Sequence, residues 1–320
     1  MDRVETMNAL HKHFKRTFQE PNKNCDVDNS WWETLPRIDE ELKESLDKPI
    51  TLNDLTRVLF QEMAPSKAPG NDGLTVRFMR KFWIQLGPLL LESLKESWDC
   101  GELSNSQKES VIRLIQKKGK DKSSIKGWRP ISLINVDAKI YAKVLSGRLR
   151  RLTNAAIDHD QLAYMESRSL NEGHLLINRI LELGRVHKVK GLMCCIDFRG
   201  AFDSVKHEFV WETLAKMNVG PNLINHLKTL YANTKSAVMN YGTQTAWFPL
   251  ERSTRQGDPV AGHLFIIVMQ VLLKKLESQL NPITYKNFVL SLIAYADDLT
   301  IFLKNDDELE KALSIIASFK

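Results

Sequence analysis

The chain has 320 residues, of which 43% are hydrophobic and 26% are charged, and its formal net charge is +6. This length and apolar content can bury the core of one large domain or of two modest ones. The longest apolar run, residues 264–273, is too short to span a bilayer, and no apolar segment typical of a signal peptide follows the N-terminus. We therefore expect an intracellular protein of the nucleus or cytoplasm.

Helices dominate the elements predicted in the first half of the chain. In chain order, they are predicted over residues 1–20 and 39–46, from Thr51 onward, over 75–98 with a break at Gly87-Pro88, and over 139–152 and 171–185. A polar connector over 21–50, a Pro/Gly loop over 67–73 and a strand over 109–116 complete this part. Helices packed around a few antiparallel strands predict an α+β fold class.

The first candidate catalytic residue ends a short apolar run. Residues 191–196 predict a strand buried on both faces, and Asp197 follows it directly. Residues 198–202 predict a turn, and Asp203 or Ser204 is expected to cap the helix that follows. The apolar face of that helix is predicted to consist of Val205, Phe209, Val210, Leu214 and Met217.

A second acidic site lies between the apolar runs 289–294 and 299–303. These runs predict two strands, and the Tyr-Ala-Asp-Asp sequence of residues 295–298 predicts the hairpin turn between them. Adjacent carboxylates such as Asp297 and Asp298 repel each other unless a cation neutralises them. Mg²⁺ prefers carboxylates together with substrate phosphates, so the pair indicates two-metal phosphoryl transfer.

Each acidic site also has an ordinary structural interpretation. Asp297 and Asp298 could belong to a simple surface turn, and Asp197 could be a residue at a helix entry. If the two strands are neighbours, however, all three carboxylates converge on one point, and the ordinary interpretation becomes much weaker.

Charge and cysteine content agree with an intracellular protein that binds polyanions. Residues 61–150 carry 17 basic and 9 acidic side chains, whereas residues 1–60 carry 9 basic and 12 acidic ones. A basic region beside an acidic metal site suits a nucleic-acid template and a triphosphate. The cysteines, which show neither zinc-site nor redox-pair spacing, are Cys25, Cys100, Cys194 and Cys195, and the last two are expected to be buried in the predicted strand.

Five motifs, in family order, resemble the reverse transcriptase of non-LTR retrotransposons of the long-interspersed-element type. The resemblance extends from about Pro65 to the C-terminus. The motifs are Ser-Lys-Ala-Pro-Gly-Asn-Asp-Gly at 66–73, Gly-Trp-Arg-Pro-Ile-Ser-Leu-Ile-Asn-Val at 127–136, Ile-Asp through Phe-Asp at 196–203, Arg-Gln-Gly-Asp-Pro at 255–259 and Tyr-Ala-Asp-Asp at 295–298.

This resemblance implies the palm and fingers of a right-hand polymerase, with an antiparallel palm sheet packed with helices. It divides the chain into an N-terminal helical extension or connector (1–60), a fingers-type region with a basic loop (61–190) and a palm (191–320), with the reverse transcriptase domain over about 98–320. Because the chain ends about twenty residues after the Asp-Asp turn, we expect the palm to be truncated and the thumb to be missing.

The resemblance also assigns residues to the incoming nucleotide. It places Phe202 beneath the sugar, where the ring would exclude a 2′-hydroxyl, although a core aromatic is the alternative. It places Gln256 and Gly257 against the nucleotide, although an ordinary helix start is the alternative for this loop. The residues themselves predict that Asp258 caps the next helix and that Pro259 lies in its first turn. It brings Arg129 and Lys117 to the triphosphate, although Lys118 is an equally good charge one position away. The chain departs from the family at residues 260–263, Val-Ala-Gly-His, where a Ser-Pro or similar pair is usual and Gly262 weakens the helix start.

The implied function is RNA-directed DNA synthesis with two Mg²⁺ ions, an RNA template, a DNA primer and dNTPs. Asp197, Asp297 and Asp298 are the implied catalytic and metal-binding residues. The alternative is an inactive truncated or fossil fragment that binds nucleic acid weakly. An RNA-dependent RNA polymerase would also use an Asp-Asp turn, but the bulky Phe202 and the Trp-Arg-Pro-Ile segment argue against it.

Overall fold

The computed structural model describes residues 2–19, 28–285 and 288–319. The helices are α1 (Arg3–Phe18), α2 (Glu40–Leu46), α3 (Leu52–Arg57), α4 (Val76–Lys81), α5 (Trp83–Cys100), α6 (Asn105–Lys108), α7 (Val136–Ala156), α8 (Leu170–His187), α9 (Ala201–Ser204), α10 (His207–Lys216), α11 (Pro221–Tyr231), α12 (Ala261–Gln279) and α13 (Asp306–Ser318). Single turns of 3₁₀ helix at Asn29–Trp31 and Ile125–Gly127, and a π turn at Val58–Glu62, add to them.

Among the residues that the structure describes, the strands build three small sheets. They are β1 (Glu109–Gln116), β2 (Trp128–Ile134), β3 (Leu192–Asp197), β4 (Lys235–Asn240), β5 (Thr243–Gln244), β6 (Phe248–Pro249), β7 (Ile283–Tyr285), β8 (Phe288–Leu290), β9 (Leu292–Tyr295) and β10 (Asp298–Leu303). One sheet has the order β2-β1-β4-β5, with β6 also paired to β4; the second is β3-β10-β9, and the third is β7-β8. The α+β prediction is confirmed, and the antiparallel β3-β10-β9 sheet is the expected palm sheet.

Most predicted helices are present, with one break displaced. The Thr51 hydroxyl accepts the Asp54 N–H and the Asp54 carboxylate accepts the Thr51 N–H, so the predicted capping box starts α3. The predicted break at Gly87-Pro88 is wrong, because the chain bends at Phe82 between α4 and α5. Pro88 lies near the start of α5, where it removes only the backbone hydrogen bond to the Ile84 carbonyl. Ile84 is a surface residue that is 87% exposed.

Strand β3 differs from its prediction in burial. Its residues alternate between half-buried and exposed, and Met193 is 43% exposed. Cys194 is half-buried and Cys195 is exposed, so neither is the fully buried residue that was expected. The reason is that β3 is an edge strand paired with β10 in the β3-β10-β9 sheet. An unbroken apolar run does not distinguish such a strand from a central one. Residues 21–27 of the predicted connector, which include Cys25, lie outside the described residues.

The helix after Asp197 begins later than predicted. Asp203 and Ser204 do not cap it; they belong to the short α9, and α10 begins at His207 after Lys206. Ser204 instead donates its hydroxyl to the Gly200 carbonyl at 2.9 Å, within α9. The predicted apolar face is confirmed as buried, at Val205, Phe209, Val210, Leu214 and Met217.

One hydrophobic core joins the helices to the palm sheet. It extends along the chain from Trp31 to Ile315 and includes residues of all three predicted segments. A smaller core holds α1 against β4 and β6 through the predicted helix residues Leu10, Phe14 and Phe18.

The apolar run 289–294 is divided at Ser291, where β8 turns away to pair with β7. Within the described ranges, no helix is both long enough and apolar enough to cross a membrane.

His207 provides a test of how α10 is attached. Burial lowers the pKa of His207 to about 4, and Nε2 lies 2.9 Å from the Ser253 carbonyl, to which it donates. Between pH 6.5, the usual pKa, and about 4, the unfolded chain therefore binds a proton that the folded chain excludes, and stability falls as the pH falls. In His207→Gln the amide keeps a donor without titrating. We expect a shallower loss of melting temperature across this range, measured by circular dichroism, and an unchanged slope would contradict the assignment.

Candidate active site

Two paired strands bring the three candidate aspartates together. In the antiparallel pairing of β10 with β3, Asp298 lies directly opposite Asp197. Side chains that are directly opposed in a sheet lie on the same face, with Cβ atoms about 5 Å apart. Asp297 is the second residue of the two-residue turn between β9 and β10 and immediately precedes Asp298. The predicted hairpin and the predicted proximity of its strand to the strand ending at Asp197 are thus both present.

The environment of Asp297 disfavours the ionised form of its carboxyl group. Burial raises the pKa of Asp297, and the neighbouring carboxylates of Asp298 and Asp197 raise it further. Asp197 and Asp298 are themselves exposed, whereas Asp297 is half-buried. A carboxylate whose ionised form is disfavoured by two like charges is stabilised when a cation joins them.

The donor set fits a hard divalent cation that is completed by other ligands. Within the described residues, no three His, Cys, Asp or Glu side chains already form a metal-binding group. Mg²⁺ sites in nucleotide-using enzymes seldom form such closed protein cages, because the ion keeps waters and binds substrate phosphates beside one or two carboxylates. Asp197, Asp297 and Asp298 supply the carboxylates and leave one side open to solvent.

Phe202 belongs to an aromatic group with Phe265 and Tyr164. Its ring is half-buried and stacks on Phe265 of α12, with centroids 4.3 Å apart and planes at 17°. Tyr164 approaches the same ring edge-on, at 6.2 Å. Burial raises the pKa of Tyr164, and the charge of Asp297 adds to this effect, so Tyr164 lies within electrostatic range of the acidic turn.

The Arg-Gln-Gly-Asp-Pro loop is docked against β2. The Gln256 carbonyl accepts the Ser132 N–H at 2.8 Å. Gly257 has a φ of +106°, and a Cβ there would lie 2.8 Å from the Ser132 carbonyl oxygen. The loop also reaches α9, since the Thr254 N–H donates to the Phe202 carbonyl at 3.0 Å. Glycine is therefore required at 257 for both conformation and space.

Asp258 does not cap α12 as predicted, since its carboxylate lies in a buried ion pair. Its Oδ2 accepts from Arg255 Nη2 at 2.6 Å, both side chains are almost fully buried, and Oδ1 accepts the Val260 N–H at 3.2 Å. The Arg255 guanidinium also lies 4.7 Å from the centroid of the Tyr231 ring. Burial still raises the pKa of Asp258 despite this partner. Breaking such a pair leaves an uncompensated buried charge, so it fixes the loop strongly.

Gly262 is required for packing. A Cβ at this position would lie 2.4 Å from Cδ1 of Tyr164, so the Tyr164 ring occupies the space of a side chain there. Helix α12 begins at Ala261 despite the glycine. The departure from the usual family pattern at 260–263 therefore coincides with close packing against Tyr164.

The two proposed triphosphate residues lie on the β1-β2 pair. Arg129 is exposed on β2, opposite Ile115 of β1. Lys117 follows β1 and donates its backbone N–H to the Gly127 carbonyl at 2.8 Å. Burial raises the pKa of Asp203 to about 6. The positive charges of Arg252 and Lys117 oppose this rise. Lys117 is thus within electrostatic range of Asp203, the residue after Phe202.

Sequence reasoning missed Gln161, Tyr164 and the pairing role of Arg255. Gln161 and Tyr164 belong to a segment for which no element was predicted, and both reach the acidic turn across more than a hundred residues of chain. Arg255 belonged to a recognised motif, and its position three residues before Asp258, a residue of opposite charge, could have suggested the ion pair.

Comparison with known proteins gives one family. The family model described as reverse transcriptase (RNA-dependent DNA polymerase) matches residues 115–320. The chain is 35% identical over 289 residues to a Xenopus laevis protein described as the transposon TX1 uncharacterized 149 kDa protein, covering 90% of this chain and 22% of that protein. It is 25% identical over 281 residues to the Pol polyprotein of the type-1 retrotransposable element R2 of Nasonia vitripennis, covering 88% and 26%.

The chain is also similar to a further mobile-element protein and to a solved structure. The RNA-directed DNA polymerase from the mobile element jockey of Drosophila funebris is 25% identical over 263 residues, covering 80% of this chain and 28% of that protein. A solved structure of apo telomerase from Candida tropicalis superposes with a TM-score of 0.47 at 17% identity, over 67% of this chain and 47% of that one. The chain thus spans about a quarter of the length of these curated relatives.

The docking of the Arg-Gln-Gly-Asp-Pro loop can be tested with a matched pair of glycines. Gly257→Ala should clash with the Ser132 carbonyl and adopt a disfavoured φ, whereas at Gly242, with a φ of +71°, a Cβ would meet no atom within 4 Å. We expect Gly257→Ala to cost roughly 2–3 kcal/mol and Gly242→Ala about 1 kcal/mol of unfolding free energy in urea titrations. Equal losses would contradict the packing of Gly257.

Proposed function

We propose a function from one premise: the chain belongs to the reverse transcriptase (RNA-dependent DNA polymerase) family. In this proposal it synthesises DNA on an RNA template by adding dNTPs to a primer 3′-hydroxyl. The observation that carries the proposal is the register of β3 and β10, which sets Asp197 opposite Asp298 and beside Asp297.

The three aspartates have distinct proposed roles. Asp197 and Asp297 would hold two Mg²⁺ ions, and Asp298 would support the turn and add to the negative field. When bound, the ions would lower the cost of the negative charge that develops as the primer hydroxyl attacks the α-phosphorus and pyrophosphate leaves. The raised pKa of Asp297 supports this assignment, since burial first, and then the like charges of Asp298 and Asp197, disfavour an ionised form that a bound cation would stabilise.

The remaining assignments surround this centre. Phe202 would exclude a 2′-hydroxyl from the sugar site, and Gln256 and Gly257 would lie against the nucleotide, supported by the docking of their loop beside Phe202. Arg129 and Lys117 would contact the triphosphate. The basic segment 61–150 would attract the RNA template and DNA primer, and its affinity would fall with salt.

Two broader assignments are also proposals. The division into residues 1–60, 61–190 and 191–320 corresponds to an extension, fingers and palm. A protein that copies RNA from a mobile element would work in the nucleus or the cytoplasm. The TX1, R2 and jockey relatives support a non-LTR retrotransposon origin.

Substitution of Asp297 tests the catalytic assignment. Asp297→Asn keeps the size of the side chain and removes its charge, so primer extension on RNA with Mg²⁺ should fall about 100-fold or more. Asp307→Asn is the control, because Asp307 is an exposed aspartate in the first turn of α13. Extension by Asp297→Asn at the rate of this control would reject the role of Asp297.

Substitution of Phe202 tests the sugar site. In Phe202→Val the shortened side chain should admit a 2′-hydroxyl, so the ratio of rNTP to dNTP incorporation should rise about tenfold or more, while dNTP use falls less. Phe78→Val, at a partly exposed position of α4, is the control. The comparison requires steady-state kcat/KM for both nucleotides. An unchanged ratio would make Phe202 a packing residue of the Phe265 stack.

A further inference from the structure

Gln161 connects a distant segment to the acidic turn. Residues next to it pair with β9: the Asp160 carbonyl accepts the Ala294 N–H at 2.8 Å, and the Leu162 N–H donates to the Ala294 carbonyl at 2.9 Å. This pairing is parallel and adds an extra edge to the palm sheet. It places the side chain of Gln161, which is fully buried, directly beside Ala296.

The Gln161 amide binds the backbone of the turn on both sides. Its Oε1 accepts the Ala296 N–H at 2.9 Å, and its Nε2 lies 3.5 Å from the Ala296 carbonyl, to which it donates more weakly. The same Oε1 accepts the Ala163 N–H at 3.0 Å, which fixes the orientation of the amide. A side chain in this arrangement replaces the hydrogen bonds that a further strand would give to the turn.

Ala296 has a conformation that requires such support. Its φ is +54°, in the left-handed region that alanine seldom adopts. The alanine is also buried. The residue after it is Asp297. Because backbone rotation at Ala296 would swing Asp297 away from Asp197 and Asp298, the conformation of this alanine sets where the carboxylate is held.

Hydrogen bonds from Arg168 and Gln270 hold the segment that carries Gln161. The Arg168 guanidinium donates to the carbonyls of Gln161 at 2.7 Å and Ile157 at 3.2 Å, and also to that of Asp158. From α12, the Gln270 Nε2 donates to the Asp158 carboxylate at 2.7 Å. Gln161 is therefore held by both its own loop and the helix that packs beneath the site.

We propose that Gln161 is a positioning residue for Asp297. It holds Ala296 in its left-handed conformation and so fixes the Asp297 carboxylate relative to Asp197 and Asp298. The catalytic consequence rests on the proposed polymerase function, whereas the structural consequence does not. Gln161 contacts neither substrate nor metal in this role and acts through the backbone of the turn.

The structural part is tested first on the unmodified chain. Hydrogen–deuterium exchange resolved by NMR should show the Ala296 amide exchanging as slowly as amides of β9 and β10. An amide in an unsupported turn exchanges quickly. Rapid exchange at Ala296, with slow exchange in the flanking strands, would overturn the proposal whether or not the chain is an active enzyme.

The catalytic part is tested with Gln161→Met, which keeps the length of the side chain and removes its two hydrogen bonds to Ala296 and the one from Ala163. Gln107→Met is the control, because Gln107 is also buried and hydrogen-bonded but caps α6 at Ser104, far along the chain from the turn. We expect Gln161→Met to speed exchange at Ala296, to lower kcat about tenfold or more and to raise the Mg²⁺ concentration for half-maximal rate, with KM for dNTP within about twofold.

The outcomes separate the two claims. Equal effects of Gln161→Met and Gln107→Met on all four readouts would show a general loss of stability and overturn the positioning role. If the unmodified chain does not extend a primer, the proposed function fails, and the exchange rate at Ala296 alone decides the role of Gln161.

Discussion

The site depends on the pairing register between β3 and β10. Opposition of Asp298 and Asp197 places two carboxylates on one sheet face, and the two-residue turn adds Asp297 beside them. A slip of one residue would move every side chain of β10 to the other face and separate the pair. The register is fixed because Leu299, Ile301 and Leu303 point into the core from the opposite face. Burial of that apolar face thus holds the three aspartates close together. Their carboxylates repel one another, and a bound cation would offset this repulsion.

The segments that surround the three aspartates are held by contacts that permit only particular residue types at several positions. Gly257 has no room for a side chain against β2, and Gly262 has none against the ring of Tyr164. The buried Arg255–Asp258 pair holds the loop that begins α12. These contacts constrain the loop 255–259 and the start of α12 through shape and charge. Asp197 and Asp298, in contrast, remain exposed to solvent.

The parts of this site that were predictable from sequence are those encoded in short stretches. Alternation of apolar runs with a Tyr-Ala-Asp-Asp turn predicts the β9-β10 hairpin, and the run before Asp197 predicts β3. The same run could not reveal that Cys195 is exposed, because edge position depends on which strands pair. Gln161 was not predictable, since its bond to Ala296 joins residues 135 positions apart and its neighbours form no recognisable element.

Calorimetric titration of Mn²⁺, a surrogate for Mg²⁺, tests the central claim that the β3-β10 register creates a cation site. With a non-hydrolysable dNTP present, the unmodified chain should bind Mn²⁺, and Asp197→Asn should weaken this binding at least tenfold without changing the melting temperature by more than a few degrees. Binding that is equally tight in Asp197→Asn would contradict the account, because the opposed aspartates would then hold no ion.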